Sequence, residues 1–163
     1  MNPEDVNRNG YVTKDDYQKF VVRLENVERV LAAHKESTMT VTIKEEDLAQ
    51  FIGTEGYFRH PLCKAVVYTD GVEYLASNGA GWLVDMVASH LHTHKGLVEK
   101  CDGMLFTKFT LEKTRGGRLE ARKDTHAPVI FSQEVEYTDL PFDVDIWAQH
   151  DGERWVMMLP SEY

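Results

Sequence analysis

The chain has 163 residues, a hydrophobic content of 42%, a charged content of 28% and a formal net charge of −9. That length supports one domain with a real core, and the acidic balance excludes general binding to a nucleic-acid backbone, which needs a basic surface. Cys63 and Cys101 are too few for a disulfide framework and read as free thiols of a reducing compartment. The opening MNPEDVNRNG has no signal-peptide pattern, and no apolar run reaches membrane-spanning length. The expectation is a soluble, cytoplasmic protein of a bacterial host, with no membrane partner and no direct contact to nucleic acid.

The first predicted element is a loop. Asp5, Asn7 and Asn9 place oxygen donors at positions one, three and five of a twelve-residue EF-hand pattern. Gly10 makes the turn, Tyr11 offers its carbonyl at seven, Val12 is the apolar eighth residue, and Asp16 stands at twelve in place of the usual Glu. A hard cation needs six or more oxygens from one short loop, and this spacing supplies them for calcium. The loop resembles one half of a dockerin repeat, which also lacks an entering helix. The competing reading is an Asx-rich turn that caps the next helix without metal.

That helix is predicted from about Lys14 to His34. Tyr17, Phe20, Val21, Leu24, Val27, Val30 and Leu31 recur at helical spacing. The stripe is core or a seam between two copies, with Leu24 and Val27 at the centre of a homodimer contact. Residues 35–40 read as a linker, which divides the chain into an appendage over 1–40 and a domain over 41–163. Met39–Ile43 is expected as a short strand and Lys44–Ile52 as a capped helix, ended by Gly53. Lys64–Thr69 and Val72–Ser77 are rich in Val and Tyr around Asp70-Gly71, and predict a β-hairpin on a two-residue turn. A helix follows over Gly79–Thr93, burying Trp82, Leu83, Met86, Val87, His90 and Leu91.

The remainder reads as β. Met104–Thr114 alternates, Gly116-Gly117 is a turn, and Arg118–Lys123 returns as its partner. Pro128–Tyr137 is a third strand, and Val144–Gln149 with Glu153–Leu159 a last hairpin around Asp151-Gly152. The fold class is therefore α+β: an antiparallel sheet with helices on one face, preceded by the N-terminal loop and helix.

Phe51, Gly53-Thr54-Glu55, Tyr57, Arg59-His60, Tyr68-Thr69-Asp70-Gly71-Val72, Tyr74-Leu75-Ala76, Gly79-Ala80, Trp82-Leu83-Val84-Asp85 and the ending Leu159–Tyr163 form a signature. It resembles a domain-of-unknown-function family of bacteria and their mobile elements, over roughly residues 45 to 163. The resemblance implies a compact α+β domain and carries over no catalytic residues.

Three groups of residues invite chemistry. His90, His92 and His94 stand at a predicted helix end, with Cys101 nearby in sequence as a conceivable third zinc ligand. Zinc motifs bring a second close pair, which this chain lacks, so helix-end histidines that complement the dipole are the simpler reading. His60 and Cys63 are three apart and could serve a small enzyme, although a buried apolar cysteine is the plainer account. Glu134, Glu136, Asp143 and Asp145 make an acidic C-terminal surface beside the basic stretch Lys108–Lys123. Such a surface suits a partner with a basic face. The leading expectation is a non-catalytic interaction protein, concretely an anti-CRISPR-like inhibitor that occupies the basic nucleic-acid surface of a host effector complex. A calcium-responsive binding module and a small enzyme at His60/Cys63 are the alternatives.

Overall fold

The computed structural model describes residues 41–163. The calcium-loop residues Asp5, Asn7, Asn9, Tyr11 and Asp16, and the seam residues Leu24 and Val27, lie outside the described residues. The described chain runs α1 (Glu45–Leu48), β1 (Phe58–Arg59), β2 (Val66–Tyr68), α2 (Asp70–Leu75), α3 (Gly81–Thr93), α4 (Leu97–Lys100), β3 (Met104–Leu111), β4 (Gly117–Arg122), β5 (Phe131–Val135), β6 (Val144–His150) and β7 (Trp155–Met158). A 3₁₀ turn over Pro160–Glu162 follows. The class is α+β, as expected, and among the described residues no helix is long and apolar enough to cross a membrane.

One seven-stranded sheet organises the molecule in the order β1-β2-β7-β6-β3-β4-β5. The β3–β4 and β6–β7 hairpins form as the sequence predicts. The second closes over four residues, Asp151–Arg154, rather than two. The one parallel pairing joins β2 to β7, with Val66, Val67 and Tyr68 opposite Trp155, Val156 and Met157.

That pairing corrects the predicted hairpin at Asp70-Gly71. Val66–Tyr68 is a strand, but Asp70–Leu75 is a helix. Thr69 is extended, and its carbonyl accepts the first helical bond from the Glu73 amide at 2.9 Å. Asp70 and Glu73 in the first turn suit the positive end of the helix. Val72 and Leu75, three apart, are both fully buried, whereas strand alternation would have paired Val72 with Tyr74. The edge of β2 is satisfied by β7 from far along the chain, so a local partner is not needed. The segment 41–43 is not a strand either: Thr42 only touches the Asn78 carbonyl, at 3.4 Å. The predicted helix over Lys44–Ile52 is a single turn, Glu45–Leu48.

Sheet burial alternates cleanly. Leu105, Thr107 and Phe109 of β3, Leu119 and Ala121 of β4, and Val144, Ile146 and Ala148 of β6 are buried. They share the covered side with the α3 residues Leu83, Val84, Val87, Ala88 and Leu91 in one core. Trp82, Met86 and His90 are only half-buried, so the buried stripe of α3 is rotated from the one predicted. Gly117 lies against the ring of Phe109, where a Cβ would overlap it. The opposite side of the sheet carries the alternate residues. It presents Phe106, packed edge-on against Trp147 at 4.9 Å, and Trp147 in turn meets Tyr163 at 5.4 Å.

Candidate functional site

The polar residues of the signature converge where β2 enters α2. The Glu162 carboxylate, from the far end of the chain, accepts the Thr69 hydroxyl at 2.5 Å and the Gly71 amide at 3.0 Å. It also accepts the Leu159 amide at 2.9 Å. One carboxylate thus ties the start of α2 to the turn that ends the chain. Gly71 packs closely here: a Cβ would lie 2.5 Å from Leu159 Cδ1 and 2.7 Å from Glu162 Oε2, so those side chains would have to shift to admit one.

Asp70 makes a second cap, outward from the first. Its Oδ2 receives the amides of Glu55 at 2.6 Å and Gly56 at 3.2 Å and the Thr54 hydroxyl at 2.8 Å. These donors, the Glu55 amide foremost, hold its carboxyl below the ordinary range, so it stays ionised. Tyr74 donates its hydroxyl to Asp47 at 2.8 Å and fastens α1 to α2.

His60 is buried and locked. The amides of Cys63 at 3.0 Å and Leu62 at 3.3 Å both donate to its Nδ1. Nδ1 is therefore unprotonated, and Nε2–H donates to Asp85 Oδ1 on α3 at 2.9 Å. Both ring nitrogens are engaged. The neighbouring Cys63 thiol is pushed up by burial and further by the Asp85 charge, which disfavours thiolate. Burial likewise raises Cys101, whose thiol donates to the Leu97 carbonyl at 3.0 Å.

The helix-end histidines face β5. His90 stacks on Phe131 at 4.2 Å between centroids and approaches the Gln133 amide oxygen at 2.8 Å. His94 packs on the same ring at 5.2 Å and lies 5.9 Å from His90, while His92 is exposed. Among the described residues no three His, Cys, Asp or Glu side chains are placed to hold a metal.

Of the four acidic residues, Glu134 and Asp145 lie on β5 and β6, Glu136 just past the end of β5 and Asp143 just before β6. Glu134 is on edge strand β5, spent on Arg118 of β4 at 2.6 Å. Glu136 is exposed but falls beyond the end of β5, so strand alternation does not align it with Glu134. Asp143 accepts the Leu111 amide at 2.8 Å. Asp145 is half-buried opposite Lys108, its carboxyl raised chiefly by burial.

Sequence reasoning missed the loop on the other side of the Asp70 cap. Gln50–Glu55 and Asp70 line a shallow groove of about 500 Å³. Ile52 in its lining and the nearby chain residues Tyr57 and Leu62 stand 86%, 65% and 79% exposed. The signal was available in part: Tyr57 and Leu62 fit neither a helical stripe nor a strand alternation, whereas Ile52 ends the predicted helix Lys44–Ile52 and is left outside it because the helix stops at Leu48.

The comparisons agree with this picture of a fold without an assigned reaction. A family model described as a family of unknown function (DUF6876) matches residues 42–163. No curated protein and no solved structure matches.

Proposed function

The chain belongs to the DUF6876 family, a family of unknown function, and we propose that it acts as a non-catalytic interaction protein. One observation carries this reading. At the junction of β2 and α2 the polar side chains Thr54, His60, Thr69, Asp70 and Glu162 are spent on internal hydrogen bonds, mostly to backbone amides. A general base must have a nitrogen or oxygen free to take a proton, and a nucleophilic cysteine must reach thiolate. His60 offers no free nitrogen and Cys63 is held as thiol. What this region offers to solvent instead is apolar surface and charge.

In its concrete form the protein is an inhibitor, of the anti-CRISPR kind, that covers the basic nucleic-acid surface of a host complex. The net charge of −9 and the exposed carboxylates Glu136 and Asp143 support that form. Cross-linking the full chain in host lysate, with the linked residues identified, tests it. A specific partner should be captured, and reversing Glu136 and Asp143 to Lys should slow association and invert its salt dependence. Steady turnover of any small substrate by the purified chain would overturn the non-catalytic reading. A calcium-responsive module remains the second proposal, supported by the spacing of Asp5, Asn7, Asn9, Tyr11 and Asp16. For it, calcium should raise Tm in the parent chain but not in Asp5→Ala.

A further inference from the structure

Among the described residues β1 is an edge strand of the sheet, and exposed apolar side chains stand near it in the chain. The His60 amide bonds the Val66 carbonyl at 3.0 Å, and Arg59 lies opposite Val67. In an antiparallel ladder the bonding direction alternates, so the N–H and C=O of Arg59 point away from the sheet. An unpaired edge of this kind is a template for another strand. Tyr57 directly precedes β1, Leu62 follows it by three residues, Ile52 lines the adjoining groove, and Phe58 of β1 stacks on Tyr68 at 6.0 Å.

The adjoining groove has a definite charge. Its walls include Phe51 and Ile52, and its acidic groups are Glu55 and Asp70. Asp70 stays ionised because its three donors favour the carboxylate. Among the described residues neither Glu55 nor Asp70 has an ion-pair partner. From Glu55 to β1 is three residues, at most about 10 Å of chain, so one short segment can span groove and edge together.

We propose that this face binds an extended segment of a partner protein carrying a Lys or Arg beside apolar residues. The basic side chain enters the groove against Glu55 and Asp70, and the apolar neighbours cover Ile52, Tyr57 and Leu62. The segment's backbone pairs with Arg59 of β1. Charge complementarity selects the occupant: an acidic segment meets two carboxylates, and an uncharged one leaves both without a counter-charge. The proposal rests on the interaction reading above and names the contact surface and the class of partner.

The test uses the full chain. A random dodecapeptide library displayed on phage is panned against it, and selected peptides are resynthesised for fluorescence anisotropy. Enriched peptides should carry Lys or Arg next to β-branched or aromatic residues. Glu55→Lys and Ile52→Asp should each weaken them roughly ten-fold or more. Both positions are exposed, so the variants should keep the parental Tm. Hydrogen exchange at the Arg59 amide should slow on binding. Acidic or uncharged consensus peptides, equal binding to both variants, or no enrichment would overturn the proposal. So would a dimer, seen by sedimentation, that Ile52→Asp dissociates, because a second copy would then be the occupant. If the peptides fail while lysate cross-links map to Glu136 and Asp143, this contact surface is wrong and the interaction reading stands.

Discussion

The two ends of the sheet use charged side chains in opposite ways. At the β1-β2-β7 end, Glu162, Asp70 and the His60–Asp85 pair hold backbone amides and hydroxyls, with the His60 ring buried. At the β3-β4-β5 end, Arg118–Glu134, Arg122–Glu120 and Lys123–Asp102 pair with one another at 2.6 to 3.3 Å on exposed or half-buried surface. The first arrangement satisfies backbone amides and hydroxyls that are in large part buried, and losing one partner strands the other. The second exchanges water for a screened neighbour and contributes little. Fold specificity should therefore reside at one end and solubility at the other.

The largest expected effect is at Glu162. Glu162→Ala strands the Thr69 hydroxyl and the Gly71 and Leu159 amides, and should cost about 3 kcal/mol by urea unfolding. Gly71→Ala should be comparable, because Leu159 and Glu162 must move to admit the methyl group. Parental stability in both variants would break the comparison at its strong end.

His60→Ala comes next. It leaves a cavity and two amides without an acceptor, for a loss of about 2 kcal/mol. Asp85→Asn should cost far less, since an amide oxygen can still accept from Nε2–H. Equal losses in the two would mean that charge at Asp85, rather than the amide bonds at Nδ1, holds the ring.

Acid should expose the same division. Asp70 is held below its ordinary value, and Asp151 is held at about 2 by the Glu153 and Arg154 amides. For a depressed carboxyl the stabilisation is complete above its unfolded value and is lost as pH falls through its folded one. Urea midpoints should thus decline between about pH 4 and about pH 2, and less steeply in Asp151→Asn. Asp145 has the opposite sign: burial raises it, so its ionised form opposes folding as pH rises. Asp145→Asn should leave neutral-pH stability unchanged or slightly higher.

The smallest effect is expected at the exposed pairs. Arg118→Ala and Glu134→Ala should each shift stability by no more than about 0.5 kcal/mol, less in high salt. A double-mutant cycle at two ionic strengths measures the coupling. A coupling as large as the Glu162 effect would erase the contrast between the two ends.

Much of the β half was legible because its information is local. Leu105, Thr107 and Phe109 alternate with Phe106 and Lys108, and Asp151-Gly152 lies in the loop of the last hairpin; the expected turn at Gly116-Gly117 instead falls over 112–116, with Gly117 already paired to Leu111. The α3 helix was legible for the same reason, although its buried stripe was placed one position off. Asp70-Gly71 misled because the same dipeptide serves a type I′ turn or the first turn of a helix. Here the Glu162 carboxylate accepts the Gly71 amide, and β7 already occupies the edge of β2. Both partners come from roughly ninety residues along the chain, beyond any local pattern.

The sequence by itself determined the α+β class, the β3–β4 and β6–β7 hairpins and the membership signature, because period and turn chemistry act between near neighbours. Only the tertiary structure decided that Asp70–Leu75 is a helix, that His60 has no free nitrogen, and that Glu134 pairs with Arg118. It also decided that Ile52, Tyr57 and Leu62 stand exposed, and that β1 is an edge strand among the described residues. Each of these depends on which distant group satisfies a backbone amide or covers a side chain, and that is fixed only when the chain has closed on itself.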